Sequence, residues 1–315
     1  MKIALSGKGG VGKTTLTALL ARQAATRGHP VLVIDADPNP NLHLALGLPS
    51  APPALVGMKD LIEERLGSLL ADIVKAGEVD IIISSGTVVT RAVKKATATI
   101  PVVSLTGDPV GAGIVTSIAR PGGNITGFTL TAGPEIAEKW LELLHEAFPG
   151  VSRVAVLWNS SNLFSVALFK KMDDAAGRLG FTLLSHEIRQ PSDLEVAFDA
   201  ISNEKVDAIV AETDPLIVAH RRDIVDFATT KRLPAVYGIR DYVAVGGLMS
   251  YDASLFEIWR RAAAYVDRIA KGANPGDLPI QQPTKFELII NLKAAKAVGL
   301  DIPNSLILRA DQVIE

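Results

Sequence analysis

Short apolar runs rich in Val and Ile recur along this chain of 315 residues, and longer stretches rich in Ala, Leu, Lys and Arg separate them. The longer stretches have the length of helices, as in residues 13–27 and 135–147. This alternation is typical of a parallel sheet that is covered by helices on both faces. The sequence therefore predicts an α/β protein. Predicted strands cover residues 3–5, 31–34, 80–83, 102–105, 154–157, 182–185, 208–211 and 235–237.

The charge balance and the residue counts exclude several classes of protein. The formal net charge is -2, whereas a protein that binds nucleic acid normally carries a basic surplus. The absence of Cys excludes disulfide scaffolds, zinc ribbons, iron–sulfur clusters and cysteine nucleophiles. The His residues lack the spacing of zinc ligands. We therefore expect no nucleic acid partner, no zinc and no iron–sulfur cofactor.

The hydrophobic segments are short. The longest apolar runs have strand length, below the ~20 residues that a membrane-spanning helix needs. The residues after Met1 reach glycines and a lysine too early to form a secretory signal. The sequence therefore predicts no membrane insertion and a cytoplasmic location.

A glycine-rich segment directly follows the first predicted strand and opens a predicted helix. Residues 7–14 match the pattern GxxxxGK[ST], in which consecutive N–H groups curl around a phosphate. Lys13 would neutralise the phosphate charge and Thr14 would ligate Mg²⁺. ATP or ADP with Mg²⁺ is the cofactor that this loop predicts. The expected nucleotide-binding residues are Gly7, Lys8, Gly9, Gly10, Val11, Gly12, Lys13, Thr14 and Thr15.

Lys8 and the segment at 31–39, which reads VLVIDADPN, make residues 1–66 similar to the deviant Walker A ATPases. This family includes the partition ATPases, the nitrogenase iron protein and the ATPases of carbon monoxide dehydrogenase maturation. The resemblance implies that Lys8 reaches across a nucleotide-sandwich homodimer, that Asp37 is the catalytic residue that positions water, and that Asp35 supports the Mg²⁺ bound by Thr14. Alternatively, Asp35 and Asp37 only cap a strand end and the turn before Pro38.

The next predicted strand departs from this family. It reads DIIISSGT over residues 80–87 and has no carboxylate at its end to support a metal ion. Phosphoryl transfer depends on a placed Mg²⁺ and a positioned water. We therefore expect slow hydrolysis of ATP or none.

The remainder of the chain resembles a different family. The segments GDPVGAG at 107–113, ARPGGNITG at 119–127, GGLMSY at 246–251 and QPTKFELIIN at 282–291 make residues 68–315 similar to ABC transporter substrate-binding proteins of the tryptophan/tyrosine type. The resemblance implies a two-lobed periplasmic-binding-protein-like fold that closes on an amino-acid-like ligand, each lobe being a doubly wound parallel sheet. The first lobe would comprise residues 1–128 and 252–272 and open with the P-loop strand-helix-strand unit. The second would comprise residues 131–250 and 278–315. We expect the strand order 2-1-3-4-5 in the first lobe.

In open α/β sheets, ligands bind beyond the carboxyl ends of the strands. Residues 85–87 would donate N–H groups to a ligand carboxylate, and Asp214 would receive a ligand ammonium group. Each candidate is equally compatible with a turn or a cap, Asp108 before Pro109 above all. The candidates are Ser85, Gly86, Thr87 and Asp108 in the first lobe, and Asn159, Ser160, Asp214, Tyr237 and Arg240 in the second.

Three interpretations follow from this chimera-like sequence, whose junction lies near residues 64–68. The first is a small-ligand binding protein that opens with an ATP- or phosphate-binding loop. The second is a dimeric ATPase or nucleotide switch with a fused ligand sensor. The third is an engineered hybrid with neither activity intact.

Overall fold

The computed structural model describes the backbone of residues 3–7 and 32–33, and residues 79–315. The chain divides into two compact units. The first unit contains residues 1–131 and 254–284, and the second contains residues 132–253 and 285–315.

The strands and helices are numbered here within the described residues. The strands are β1 (Ile3–Gly7), β2 (Leu32–Val33), β3 (Ile81–Ser85), β4 (Val102–Thr106), β5 (Ile125–Thr129), β6 (Arg153–Trp158), β7 (Thr182–Glu187), β8 (Ala208–Ala211), β9 (Ala235–Tyr237), β10 (Met249–Ala253), β11 (Phe286–Asn291) and β12 (Gln312–Ile314). The helices are α1 (Thr87–Ala96), α2 (Ile136–Ala147), α3 (Leu163–Ala176), α4 (Asp193–Asn203), α5 (Pro215–Ala219), α6 (Arg221–Thr230), α7 (Arg240–Val243), α8 (Leu255–Ala270), α9 (Leu292–Val298) and α10 (Asn304–Ile307). Short 3₁₀ turns cover Gly177–Leu179 and Pro275–Asp277.

The first unit contains a parallel sheet in the order β2-β1-β3-β4-β5. This confirms the order 2-1-3-4-5 that the sequence predicts. All five residues of β3, β4 and β5 are buried, as expected for parallel strands that are covered on both faces. Gly127 of β5 has φ 142°, and a Cβ atom there would lie 1.8 Å from the carbonyl oxygen of Ser104, so only glycine fits.

The segment after α8 packs on the first unit. The Thr126 hydroxyl donates to the carbonyl of Leu278 at 2.6 Å, and the N–H of Gln281 donates to the carbonyl of Gly127 at 3.0 Å. These bonds explain a difference from the predicted boundaries, because residues 278–284 lie in the first unit and not in the second.

The second unit contains a sheet of seven strands in the order β12-β11-β10-β9-β8-β6-β7. Strand β11 is antiparallel to β10, and the other pairs are parallel. Alternate residues of β6 and β8 enter separate core clusters on the two faces, with Val154 and Val210 in one and Ala155 and Ile209 in the other. The unit is therefore doubly wound, as predicted, but the antiparallel strand β11 departs from the all-parallel sheet that was expected.

The predicted helix at 135–147 corresponds to α2, whereas the predicted helix at 13–27 lies outside the described residues. Within the described part of the chain, no helix has both the length and the hydrophobicity needed to cross a bilayer.

Candidate functional site

The carboxyl edge of the first sheet contains the last residue of β1. Gly7 pairs with Ser85, the last residue of β3. The predicted phosphate loop therefore starts beside the turn formed by residues 85–87. The other predicted nucleotide and metal residues lie outside the described residues: Lys8, Gly9, Gly10, Val11, Gly12, Lys13, Thr14, Thr15, Asp35 and Asp37.

The turn between β3 and α1 is braced by internal hydrogen bonds. Gly86 has φ 96°, and its N–H donates to the carbonyl of Leu105 at 2.8 Å. Below it, the Thr90 hydroxyl donates to the carbonyl of Gly86 and lies 2.9 Å from the hydroxyl of Ser84. The Gly86 N–H is thus already used within the protein. Ser85 is buried, and Thr87 is partly exposed at the start of α1. Carboxylate binding at residues 85–87 stays a prediction.

Asp108 occupies a turn after β4. Its Oδ1 atom accepts hydrogen bonds from the N–H groups of Val110 at 3.1 Å and Gly111 at 2.8 Å. The side chain is exposed. This geometry matches the alternative interpretation, in which Asp108 stabilises the turn.

At the carboxyl edge of the second sheet, β9, β8 and β6 lie side by side. The 159–162 loop, defined as residues 159–162, follows β6. The Asn159 side chain accepts from the N–H of Ser161 at 2.9 Å, and the Ser160 hydroxyl accepts from Nε of Arg189 at 2.8 Å. Asn162 caps α3 by accepting from the N–H of Phe164 at 3.0 Å. These bonds fix both ends of the loop.

Asp214 connects the loop to the end of β8. Its Oδ2 atom accepts from Nδ2 of Asn162 at 2.8 Å, and its Oδ1 atom accepts from the N–H of Leu216 at 2.8 Å, which caps α5. Its side chain is 6% exposed. Both donors are uncharged, and no ion pair to Asp214 forms within residues 79–315. Such a group favours a cationic ligand.

Glu212 is a buried carboxyl group that the sequence prediction missed. Its side chain is 0% exposed, and its Oε1 atom accepts from the N–H of Asn159 at 2.7 Å. The Oε2 atom has no hydrogen-bond partner among residues 79–315. Its sequence signal is weak, a carboxylate directly after the apolar strand β8.

The environment of Glu212 favours its neutral form. Burial raises the pKa of the Glu212 carboxyl from its ordinary value of 4.5 to about 8, and the nearby charge of Asp214 adds to this rise. The Ser165 hydroxyl and the Asn159 N–H oppose the rise in pKa. The Ser165 hydroxyl nevertheless does not reach hydrogen-bond geometry with Glu212 in this conformation. The neutral, protonated form of the Glu212 carboxyl is therefore favoured over the charged form relative to an exposed glutamate.

Tyr237 and Arg240 are the remaining candidates that the sequence predicts in the second unit. Tyr237 ends β9, but its side chain is 1% exposed and stacks on Tyr242 with ring centroids 4.6 Å apart. Its position in an apolar cluster gives it a packing role, and a ligand contact by Tyr237 stays a prediction. Arg240 is exposed, and its Nη1 atom lies 3.8 Å from Oε2 of Glu287. The structure thus brings together Asn159, Asp214 and the unpredicted Glu212.

Two family models match the chain. The model described as ABC transporter substrate binding protein matches residues 65–314. The model described as CobQ/CobB/MinD/ParA nucleotide binding domain matches residues 2–119. The two ends of the chain therefore resemble different families, as the sequence predicts.

The relatives show the same division. A tyrosine-binding protein of Clostridioides difficile (strain R20291) is 26% identical over 222 residues, which are 70% of this chain and 63% of that protein. The carbon monoxide dehydrogenase accessory protein CooC of Rhodospirillum rubrum is 47% identical over 72 residues, which are 22% of this chain and 27% of that protein. The chain thus spans less than two thirds of the length of these curated relatives.

A solved structure shows the fold. The ABC domain in complex with L-Trp from Streptococcus pneumonia superposes with a TM-score of 0.77 at 22% identity, over 99% of each chain. The two-lobed α/β fold of the periplasmic binding proteins is thereby confirmed for this chain.

Proposed function

The chain belongs to the ABC transporter substrate-binding proteins, and from this premise we propose that it binds a small amino-acid-like ligand through Asp214 and the 159–162 loop. The observation that carries the proposal is the position of Asp214. It is a carboxylate with uncharged partners at the carboxyl ends of the parallel strands β6, β8 and β9, where ligands of α/β proteins bind. The ammonium group of an amino acid supplies the positive charge that this carboxylate lacks.

Aromatic amino acids are the probes that the relatives suggest. One relative is named a tyrosine-binding protein, and one neighbouring structure contains L-Trp. An exposed apolar surface lies next to the loop, because Leu163 directly follows Asn162 and is 86% exposed. Contact with an aromatic side chain would remove this surface from water.

The test is a calorimetric titration at pH 7 with L-tyrosine, L-tryptophan and 3-(4-hydroxyphenyl)propionate, which is tyrosine without its amino group. We expect the compound without the amino group to bind more weakly. Asp214→Asn should weaken binding of L-tyrosine by about 10- to 100-fold, the effect of one hydrogen bond to a charged group. Asp207→Asn removes a carboxylate from the opposite end of β8 and is the matched control. Equal binding by wild type and Asp214→Asn would contradict the proposal.

We further propose that residues 7–15 bind ATP or ADP with Mg²⁺. Two observations favour this second function. The nucleotide-binding family model matches residues 2–119, and β1, which ends at Gly7, pairs inside the first sheet. Lys13 would contact the phosphates, and Thr14 with Asp35 would support the metal ion. Since β3 ends in Ser84 and Ser85, without a carboxylate, we expect slow hydrolysis or none.

Titration with Mg-ATP and Mg-ADP tests this second function. Lys13→Ala should weaken binding, whereas Lys95→Ala, which removes an exposed lysine of α1, should not. Steady turnover that both Lys13→Ala and Asp37→Ala abolish would instead favour the enzyme interpretation. Dimer formation that requires nucleotide and Lys8, measured by light scattering, would identify the nucleotide-switch alternative.

A further inference from the structure

Glu212 is held in place from two directions at the end of β8. Its side chain accepts the N–H of Asn159, and its backbone carbonyl accepts the hydroxyl of Tyr242 at 3.3 Å. Its own N–H donates to the carbonyl of Leu157 at 3.3 Å. The carboxyl group therefore has a fixed position beneath the first residue of the 159–162 loop.

The hydrogen bonds of Glu212 and Asp214 to the 159–162 loop form a closed ring. Glu212 binds Asn159 at the start of the loop, and Asp214, two residues further along the chain, binds Asn162 at the end of the loop. Within the loop, the N–H of Asn162 donates to the carbonyl of Asn159 at 3.0 Å. A shift of Asn159 would therefore be transmitted to the Asn162 amide and to the carboxylate that it orients.

We propose that Glu212 is a positioning residue for the cationic group of the ligand. Its buried carboxyl fixes the 159–162 loop and thereby holds Asn162 and Asp214 in the geometry that receives an ammonium group. This inference rests on the proposed amino-acid-binding function of Asp214. Glu212 itself is fully buried and acts through the loop, without contact to the ligand.

The groups around Glu212 support this role. It faces the carboxylate of Asp214, the Ser165 hydroxyl of α3 and the phenol of Tyr242 on α7, while Tyr237 and Arg221 act on Tyr242. Within residues 79–315, the groups that act on Glu212 are Ser165, Asn159 and Asp214, and none of them is a cation. A neutral Glu212 leaves Asp214 as the negative charge that the ligand meets. A second buried negative charge at this edge would require desolvation without a partner.

Two substitutions separate the positioning role from general stability. Glu212→Gln keeps a carbonyl acceptor for the Asn159 N–H and remains neutral. Glu212→Leu has a similar volume but cannot accept the hydrogen bond. The measured quantity is the affinity for L-tyrosine divided by the affinity for 3-(4-hydroxyphenyl)propionate at pH 7. A loss of stability alone would not change this ratio.

We expect Glu212→Gln to keep the wild-type ratio and Glu212→Leu to reduce it by about 10-fold, the effect of misplacing one charge-assisted hydrogen bond. Asp207→Leu, at the other end of β8, should leave the ratio unchanged. If Glu212→Leu does not unfold cooperatively, Glu212→Met replaces it, because a flexible thioether adapts to the same space.

The outcomes distinguish the two proposals. If wild type binds the two compounds equally, the proposed function of Asp214 fails. If wild type discriminates and a folded Glu212→Leu or Glu212→Met discriminates equally well, only the positioning role is overturned. Loss of discrimination in Glu212→Gln would also overturn it, because the amide retains the bond to the loop.

Discussion

The two ends of β8 carry carboxyl groups that bind the neighbouring strand in similar ways but favour opposite protonation states. Before the strand, Asp207 accepts hydrogen bonds from the N–H groups of Ser152 and Arg153 and from the Ser152 hydroxyl at 2.8–3.0 Å. Burial alone would raise the pKa of Asp207, but these bonds together hold it below its ordinary value. After the strand, burial dominates and raises the pKa of Glu212 to about 8.

The difference shows that the two ends of β8 have different roles, one in stability and the other in ligand binding. Asp207 has several donors and partial access to solvent, so its charge is stabilised. Within residues 79–315, Glu212 accepts a hydrogen bond from the N–H of Asn159 alone, and it has no exposure, so its neutral form is preferred. The charged carboxylate of Asp207 lies at the amino edge of the sheet. The neutral carboxyl group of Glu212 lies at the carboxyl edge, where we place the ligand.

The largest expected effect is the pH dependence that Glu212 gives to stability. Its pKa is 4.5 in the unfolded chain and about 8 in the folded protein, so the folded state holds the proton between these values. The contribution of Glu212 to the free energy of unfolding therefore falls as pH rises from 4.5 towards 8. Glu212→Gln removes this loss and should be more stable than wild type at pH 8.5 by up to about 5 kcal/mol, the free energy of the whole pKa change. Urea unfolding at pH 5 and 8.5 measures it, and a difference that does not grow with pH would contradict the prediction.

Asp207 should show the opposite pH dependence with a smaller amplitude. Because its pKa is lowered in the folded state, its stabilising effect is present above its ordinary value of 3.8 and is lost as the pH falls through the lowered folded value. Asp207→Ala should cost about 2 kcal/mol at pH 7, since backbone N–H groups lose a charged acceptor. The cost should shrink towards pH 3. Urea unfolding of Asp207→Ala against wild type tests this, and a cost that is larger in acid would show that the comparison is wrong.

Replacement of Asn162 should reduce the free energy of unfolding by about half as much as replacement of Asp207. Asn162→Ala removes the cap of α3 and the donor to Asp214, and it should cost about 1 kcal/mol. Asn162→Ser keeps a capping oxygen but cannot donate to Asp214 from the same position, so it should recover stability without recovering affinity for L-tyrosine. Thermal unfolding and titration of both variants provide the measurement. If Asn162→Ser recovered both stability and affinity for L-tyrosine, the hydrogen bond from Asn162 to Asp214 would have no role in ligand binding.

The smallest expected effect is the coupling between the two ends of β8. Asp207 and Glu212 flank this strand of four residues, and at a rise of about 3.3 Å per residue their Cα atoms are about 17 Å apart. The stability changes of Asp207→Asn and Glu212→Gln should therefore add to within about 0.5 kcal/mol in the double variant. A larger deviation, measured by urea unfolding at pH 7, would mean that the two carboxyl groups act as one network.

Much of the fold could be predicted because many strands contain Val and Ile in apolar runs. Strands β5 and β10 were not predicted from such runs, since β5 reads ITGFT and β10 reads MSYDA. Their place in the sheets depends on pairing, as in the close approach of Gly127 to Ser104. The strand order of the first sheet was predicted on the expectation that residues 68–315, the larger part of the chain, supply most of the surfaces against which its first two strands pack.

The candidate site was predictable only in part. The rule that ligands bind at carboxyl strand ends identified Asp214 and Asn159. The role of Glu212 depends on its burial beneath Asn159 and on Tyr242, which are 53 and 30 residues away along the chain. Such long-range burial leaves no local pattern. Tyr237 was chosen by its place at a strand end, but its stacking on Tyr242 turns it into the core.

The pairing of β1 with β3 has a consequence for how new proteins arise. Parallel strands are joined by hydrogen bonds between backbone groups, which are the same in every sequence. The pairing of β1 with β3, from Ile3 beside Ile81 to Gly7 beside Ser85, therefore does not require that the two strands come from the same protein family. A strand-helix-strand segment of the right length and handedness can thus act as an exchangeable cassette in a sheet from another lineage. Grafting such segments from further nucleotide-binding proteins before residue 79 should yield folded recombinants more often than exchanges that cut through α8, whose buried face must fit the side chains of the first unit.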